Sequence, residues 1–187
     1  MTAAVTPEIA VSLEEAGIGK RYHNMTTDAL GVVGQGLRVW MGANSTALRR
    51  GTASTVFSGV GTTDVITLLA RGLHLNGVGC KITPLVRMRR VINDSEFRET
   101  VNEIDCLIVM NAQDRHRCNP LHDAVAAEVE FLLRQRYDNN RMTILQTVFT
   151  GANPDDRSYW SDEFWELVNE FEQLDIDTLT KLGANKQ

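Results

Sequence analysis

The residues Ser58-Gly59-Val60-Gly61-Thr62-Thr63-Asp64-Val65 lie between a short apolar strand, Thr55–Phe57, and an apolar helix that begins near Ile66. Strand, small-residue loop and helix make the layout of a phosphate-binding loop, whose backbone N–H groups and helix N-terminus face the phosphates. Such a loop ends in Lys, which reaches the phosphates, and in Ser or Thr, whose hydroxyl holds Mg²⁺. Here those two places hold Asp64 and Val65, and Thr63 takes a glycine place. A carboxylate repels a triphosphate, and valine offers a metal no ligand atom. On this stretch alone, an ordinary strand–turn–helix fits as well as a nucleotide site stripped of its working groups.

Three further groups of residues carry chemistry. Arg87, Arg89 and Arg90 form a compact basic cluster, which Arg49, Arg50 and Lys81 could join. Such a cluster suits the phosphates of single-stranded DNA. No aromatic residue lies between these arginines to stack a base, so a solvated loop or an acidic protein partner fits equally. His116 and His122 lie near Cys118, but the run Asp114–Cys118 is rich in cations and has no second Cys–His pair, so no zinc site is expected. The stripe Trp160, Phe164, Trp165, Val168 and Phe171 falls at helical spacing with acids opposite, and either docks in a partner's groove or packs back on the sheet. No Ser–His–Asp or Cys–His arrangement is legible.

The elements that must position these residues alternate. Pro7 starts a helix carrying Ile9, Leu13 and Ala16, which Gly17 and Gly19 end. Residues 29–49 read as a helix despite glycines at 31, 34 and 36, with Leu30, Val33, Leu37, Trp40 and Met41 at helical spacing. After the helix 66–75 come a strand over 81–86, a polar helix over 91–101 and an unbroken apolar strand over 104–110. That last run suits a central parallel strand covered on both faces. A helix over 120–137 and a fourth strand over 142–149 follow, and the alternation predicts a parallel sheet with helices on both faces.

Composition sets the outer bounds. The chain has 187 residues, 43% hydrophobic and 23% charged, which suits one globular domain with a tail. A net charge of -5 excludes a surface that binds nucleic acid all over, yet leaves room for a local basic patch. Residues 155–187 hold nine acids against three bases, so the remainder is near neutral. Cys80, Cys106 and Cys118 have no metal-type spacing; Cys80 and Cys106, in apolar surroundings, read as reduced core thiols of a cytoplasmic protein. No apolar run approaches the roughly 20 residues of a membrane span, so no membrane partner is expected.

From about Gly17 to Phe149 the chain resembles the DnaC-like helicase loaders and the related transposition helper ATPases of AAA+ type. Three pieces carry the resemblance. They are the lead-in Ala16-Gly17-Ile18-Gly19-Lys20-Arg21-Tyr22, the strand–loop–helix Val56–Leu69, and the run Phe131–Leu145 with its Arg134-Gln135-Arg136-Tyr137-Asp138-Asn139-Asn140-Arg141. The resemblance implies a three-layer parallel sheet of P-loop NTPase/AAA+ type, with residues 1–20 as an N-terminal arm, 21–150 as the core and 151–187 as an acidic, aromatic helical tail in place of a full lid domain. Carried over residue by residue, the family's phosphate-loop lysine falls on Asp64 and its Mg²⁺ hydroxyl on Val65. Its acidic metal-and-water motif falls on Met110 and Asn111, and its sensor asparagine on Val148. None of these residues can do the work.

The resemblance therefore implies a pseudo-ATPase with a degenerate site (Gly59, Gly61, Asp64, Val65, Met110, Asn111, Val148) and no cofactor. It is similar to the small replication proteins of temperate phages, which recruit the host's hexameric replicative helicase. Ile9 and Leu13 at one end, and Trp160, Phe164, Trp165, Val168 and Phe171 at the other, are the docking candidates. Arg87, Arg89 and Arg90 are the candidates for single-stranded DNA. Homo-oligomerisation on the helicase ring, a decoy that blocks the host loader, and a DNA-binding transposition-type targeting subunit stand as alternatives.

Overall fold

The computed structural model describes residues 5–112, 123–147 and 161–185. Its strands are β1 Thr55–Ser58, β2 Cys80–Pro84, β3 Cys106–Met110, β4 Met142–Thr147 and β5 Glu172–Asp175. They form one sheet, all parallel, in the order β2-β3-β4-β1-β5. The helices are α1 Pro7–Glu15, α2 Gly31–Ala43, α3 Ser45–Arg50, α4 Thr62–Leu75, α5 Leu85–Val91, α6 Ser95–Glu103, α7 Asp123–Asp138, α8 Asp162–Glu170 and α9 Ile176–Ala184. Along each strand the side chains alternate between two cores. Phe57, Ile108 and Ile144 meet Leu13, Leu37, Trp40, Leu69 and Leu179 on one face. Val56, Leu107, Val109 and Leu145 meet Met88, Val101, Leu132, Phe164 and Phe171 on the other. This is the expected three-layer α/β architecture.

Two parts of the expected organisation are corrected. The tail is not one amphipathic helix: after α8 the chain enters the sheet as β5, beside β1, and returns as α9. Pairing with β1 outweighs the helical pattern of Phe164, Val168 and Phe171, and the boundary drawn at residue 151 is not a boundary of packing. The N-terminal arm is likewise part of the core. Leu13 and Ile18 are fully buried, the amide of Ile82 on β2 donates to the carbonyl of Ala16 (2.8 Å), and Ser12 hydrogen-bonds His74 of α4 (2.7 Å). The N-terminal segment thereby covers the outer edge of β2, an edge that would otherwise stay open to pairing. The strand read over 81–86 ends at Pro84, where α5 begins at once and carries Arg87, Arg89 and Arg90, and the helix read over 91–101 is α6. The cysteines of β2 and β3, Cys80 and Cys106, are register partners with buried free thiols, and burial raises the Cys106 thiol well above its ordinary range.

The glycines of α2 serve a helix crossing. A Cβ on Gly36 would stand 1.8 Å from the carbonyl oxygen of Leu179 on α9, and one on Gly183 of α9 would stand 2.0 Å from that of Val32. The two backbones touch, and Trp40 one turn on donates to the Glu172 carboxylate of β5 (2.8 Å). Gly36→Ala and Gly183→Ala are each expected to cost about 2–3 kcal/mol of stability in urea unfolding, because the backbones must part. Gly42→Ala in the same helix meets nothing within 4 Å and is expected to stabilise by about 0.5–1 kcal/mol.

The sheet is also clamped from α7. Arg136 has no exposed surface. Its guanidinium donates to the carbonyls of Val101, Ile104 (3.0 Å) and Met142 (2.6 Å) and to the Thr143 hydroxyl (3.2 Å). Burial lowers its pKa to about 10, which leaves it charged at neutral pH. Arg136→Met would strand those carbonyls and is expected to cost about 3–5 kcal/mol. Arg136→Lys should rescue little, since an ammonium cannot span the same acceptors.

Candidate functional site

The loop from β1 to α4 lies at the C-terminal ends of the strands, where open α/β sheets bind ligands. Its turn is three residues, Gly59-Val60-Gly61, with φ of 103° at Gly59 and 88° at Gly61, values that need glycine. The polar groups around the turn are paired with one another. The Gly59 amide donates to the carbonyl of Thr147 (3.0 Å), and the Thr62 hydroxyl donates to the carbonyl of Gly59 (2.9 Å).

Gln146 of β4 ties this turn to the end of β3. Its side-chain amide donates to the hydroxyls of Thr62 and Thr63, at 3.1 Å each, and its side-chain carbonyl accepts from the Asn111 amide (2.9 Å). Gln146 is buried, as are Thr62 and Met110. Asn111, just past β3, holds a left-handed backbone with φ of 54° and is exposed. The interval between the loop and the end of β3 is bridged by a neutral amide.

Asp64, in the first turn of α4, accepts hydrogen bonds from the guanidinium of Arg21 (3.0 Å) and from the Tyr22 phenol. Arg21 also lies over the Tyr22 ring, 4.5 Å from its centre, and donates to its hydroxyl. The Asp64 carboxylate is thus neutralised from the lead-in segment, by the Arg21 cation. Burial, and then the bond to Asp64, raise the Tyr22 pKa, so the phenol stays a donor at neutral pH. Val65 points the other way and is buried in the core.

Of the residues expected at this site, the structure brings together Gly59, Gly61, Asp64 and Asn111, with Met110 beneath and Val65 turned inward; Val148 lies outside the described residues. Gln146, Arg21 and Tyr22 were not singled out from sequence. One signal was available: a carboxylate beside a small-residue loop calls for a nearby cation, and Arg21 stands in the lead-in segment.

The docking candidates divide. Leu13, Phe164, Val168 and Phe171 are buried and offer no free surface, because each fills one of the two cores; Ile9 and Trp165 are half-buried. Val11 of α1 is 58% exposed and Phe131 of α7 59%, and neither was proposed from sequence. Trp160 lies outside the described residues, as do His116, Cys118 and His122. Arg87 and Arg90 are exposed on α5, one helical turn apart, and Arg89 is half-buried. Arg49 and Arg50 do not join them. They end α3 before β1, whereas α5 follows the C-terminal end of parallel β2, so the two groups sit at opposite ends of the sheet.

Two outcomes test this site. Gln146→Leu takes away the partner of the Thr63 hydroxyl and of the Asn111 amide, while Thr62 keeps its bond to the Gly59 carbonyl, and is expected to cost about 1–3 kcal/mol, with faster hydrogen exchange at Asn111. Tyr22, with a raised folded-state pKa, contributes stability that is complete below the unfolded value of 10 and is lost as pH rises through the folded value. An ultraviolet difference titration of the wild type against Tyr22→Phe should place this phenolate above 10, the ordinary value.

No family model and no curated protein matches the sequence. Solved structures match the fold. AMPPCP-bound DnaA from Aquifex aeolicus aligns with a TM-score of 0.64 at 15% identity, over 84% of this chain and 50% of that one. The DnaC helicase loader aligns with a TM-score of 0.60 at 16% identity, over 84% of this chain and 99% of that one. A putative primosome component from Streptococcus pyogenes serotype M3 aligns with 0.57 at 14% identity, over 91% and 96%. The chain spans about half the length of the DnaA structures it matches. At these identities the likeness is one of fold. The chain carries the AAA+-type α/β fold that these replication proteins share.

Proposed function

We propose that this chain recruits a replicative helicase to DNA without binding or hydrolysing ATP, as an AAA+-type pseudo-ATPase. The observation that carries the reading is the pairing of the site with itself. Asp64 is held by Arg21 and Tyr22, and Gln146 joins the Thr62 and Thr63 hydroxyls to the Asn111 amide. A triphosphate would have to break both sets of bonds and then meet a carboxylate where it needs an ammonium. Loader-like neighbours in fold supply the class of partner: the DnaC structure is that of a helicase loader.

The helicase-facing surface is α1, whose core side holds it against β2 and α4 while Glu8 and Val11 face outward. Arg87 and Arg90 on α5 supply a second face, toward single-stranded DNA, where each phosphate contact adds to the salt dependence. The degenerate, phage-type character and the cytoplasmic setting belong to this same reading.

Co-purification with a hexameric replicative helicase tests it, with ATP, with ADP and with neither. The expected result is one complex of equal strength in all three and delivery of helicase onto single-stranded DNA. Val11→Asp should weaken the complex without unfolding the chain. A truncation is unsuitable, because removing residues after 151 would strip β5 from the sheet. Absence of a complex in every condition overturns recruitment, and micromolar ATP binding overturns the sealed site. A complex that forms but blocks delivery identifies a decoy.

A further inference from the structure

Beside α5, on the outer side of β2, lies a cavity of about 280 Å³ whose walls include Ile82, Thr83, Arg87, Val91, Glu96 and Phe97. Four charged residues line it, and two are already engaged. The Lys81 ammonium donates to the carbonyl of Glu15 (2.7 Å), and the Asp94 carboxylate caps α6 by accepting from the Phe97 amide (3.0 Å). Arg87 and the Glu96 carboxylate are exposed, and neither side chain has a partner among the described residues. Phe97 is half-buried: part of its ring packs on the core shared with Met88 and Val101, and part lines the cavity.

We propose that this cavity accepts one nucleobase of a single strand, with Phe97 as its stacking platform, Arg87 and Arg90 on the adjoining phosphates and Glu96 as acceptor for an exocyclic amino group. The inference rests on the reading of α5 as the DNA-facing helix and adds a base site to it. The arginines alone give phosphate contacts, which carry no sequence information. An aromatic platform is what distinguishes a single-strand site from a merely basic patch. Local sequence lacked one because Phe97 comes from α6, and the fold brings it to the arginines of α5. Glu96, a carboxylate beside this platform, repels phosphate but accepts from the N4 amino group of cytosine or the N6 amino group of adenine; thymine has no such donor.

Fluorescence anisotropy with short dC, dA and dT homopolymers of equal length tests the site on the full chain. The wild type is expected to bind dC and dA roughly fivefold tighter than dT, a preference of the size one good base contact gives. Glu96→Gln should erase that preference. Phe97→Leu should weaken all three roughly tenfold with the salt slope unchanged, and Phe97→Tyr should restore binding. Arg87→Ala and Arg90→Ala should each lower the salt slope by about one while leaving the base preference in place. Urea unfolding of Phe97→Leu separates lost binding from lost fold. Binding by wild type that is indifferent to base, and unchanged in Phe97→Leu, overturns the base site and leaves the DNA-facing helix standing. Absence of binding to any strand overturns both.

Discussion

A guanidinium carries five N–H donors, and one with no exposed surface must find acceptors for them inside the protein. Arg136 finds them at the turn between α6 and β3 and at the start of β4. These are the places where two central strands enter the sheet, so one side chain fixes their relative height. Next to it Arg141 pairs with Asp105, whose other oxygen accepts from the amide of Gly79 just before β2. The N-terminal ends of β2, β3 and β4 are thus set by cations and carbonyls. At the far ends of β3 and β4 it is Gln146 that joins strand, loop and helix. The middle of the sheet is held at both rims by polar bonds and in between by two apolar cores.

On the proposed reading, this framework holds the fold together without a bound nucleotide. In a working phosphate loop, cation, metal and bound phosphates hold the loop and the strand ends together. Here the same positions are joined by hydrogen bonds within the chain. Asp64 meets the Arg21 guanidinium, which itself lies over an aromatic ring. The partners come from segments distant in sequence: Arg21 stands 43 residues before Asp64 at the surface, and Gln146 stands 84 residues after the buried Thr62.

Much of the sheet was legible. The apolar run of β3 and the small-residue turn after β1 announce themselves by composition. What was hidden depends on contacts between distant segments. Gly36 looks like a weak point in a helix until Leu179 is seen against it. Phe171 and Leu174 continue an amphipathic stripe, and nothing local says that β1 has a vacant edge for residues 172–175. The Ile9–Ala16 helix reads as a free arm because its apolar residues are few, yet Leu13 and Ala16 are enough to seat it. Gln146 gives no sign of its role, since a glutamine in a strand becomes informative only when the hydroxyls it meets are known.

The order of strands has a consequence for synthesis. β1 pairs with β4 on one side and with β5 on the other, and α2 leans on α9. A nascent chain that has just released β4 therefore holds a sheet with an open edge and a bare helix groove, both awaiting residues 172–184. Completion waits until residues 172–184 have left the ribosome, and a pause in translation between β4 and β5 would leave that edge free to pair with a neighbour.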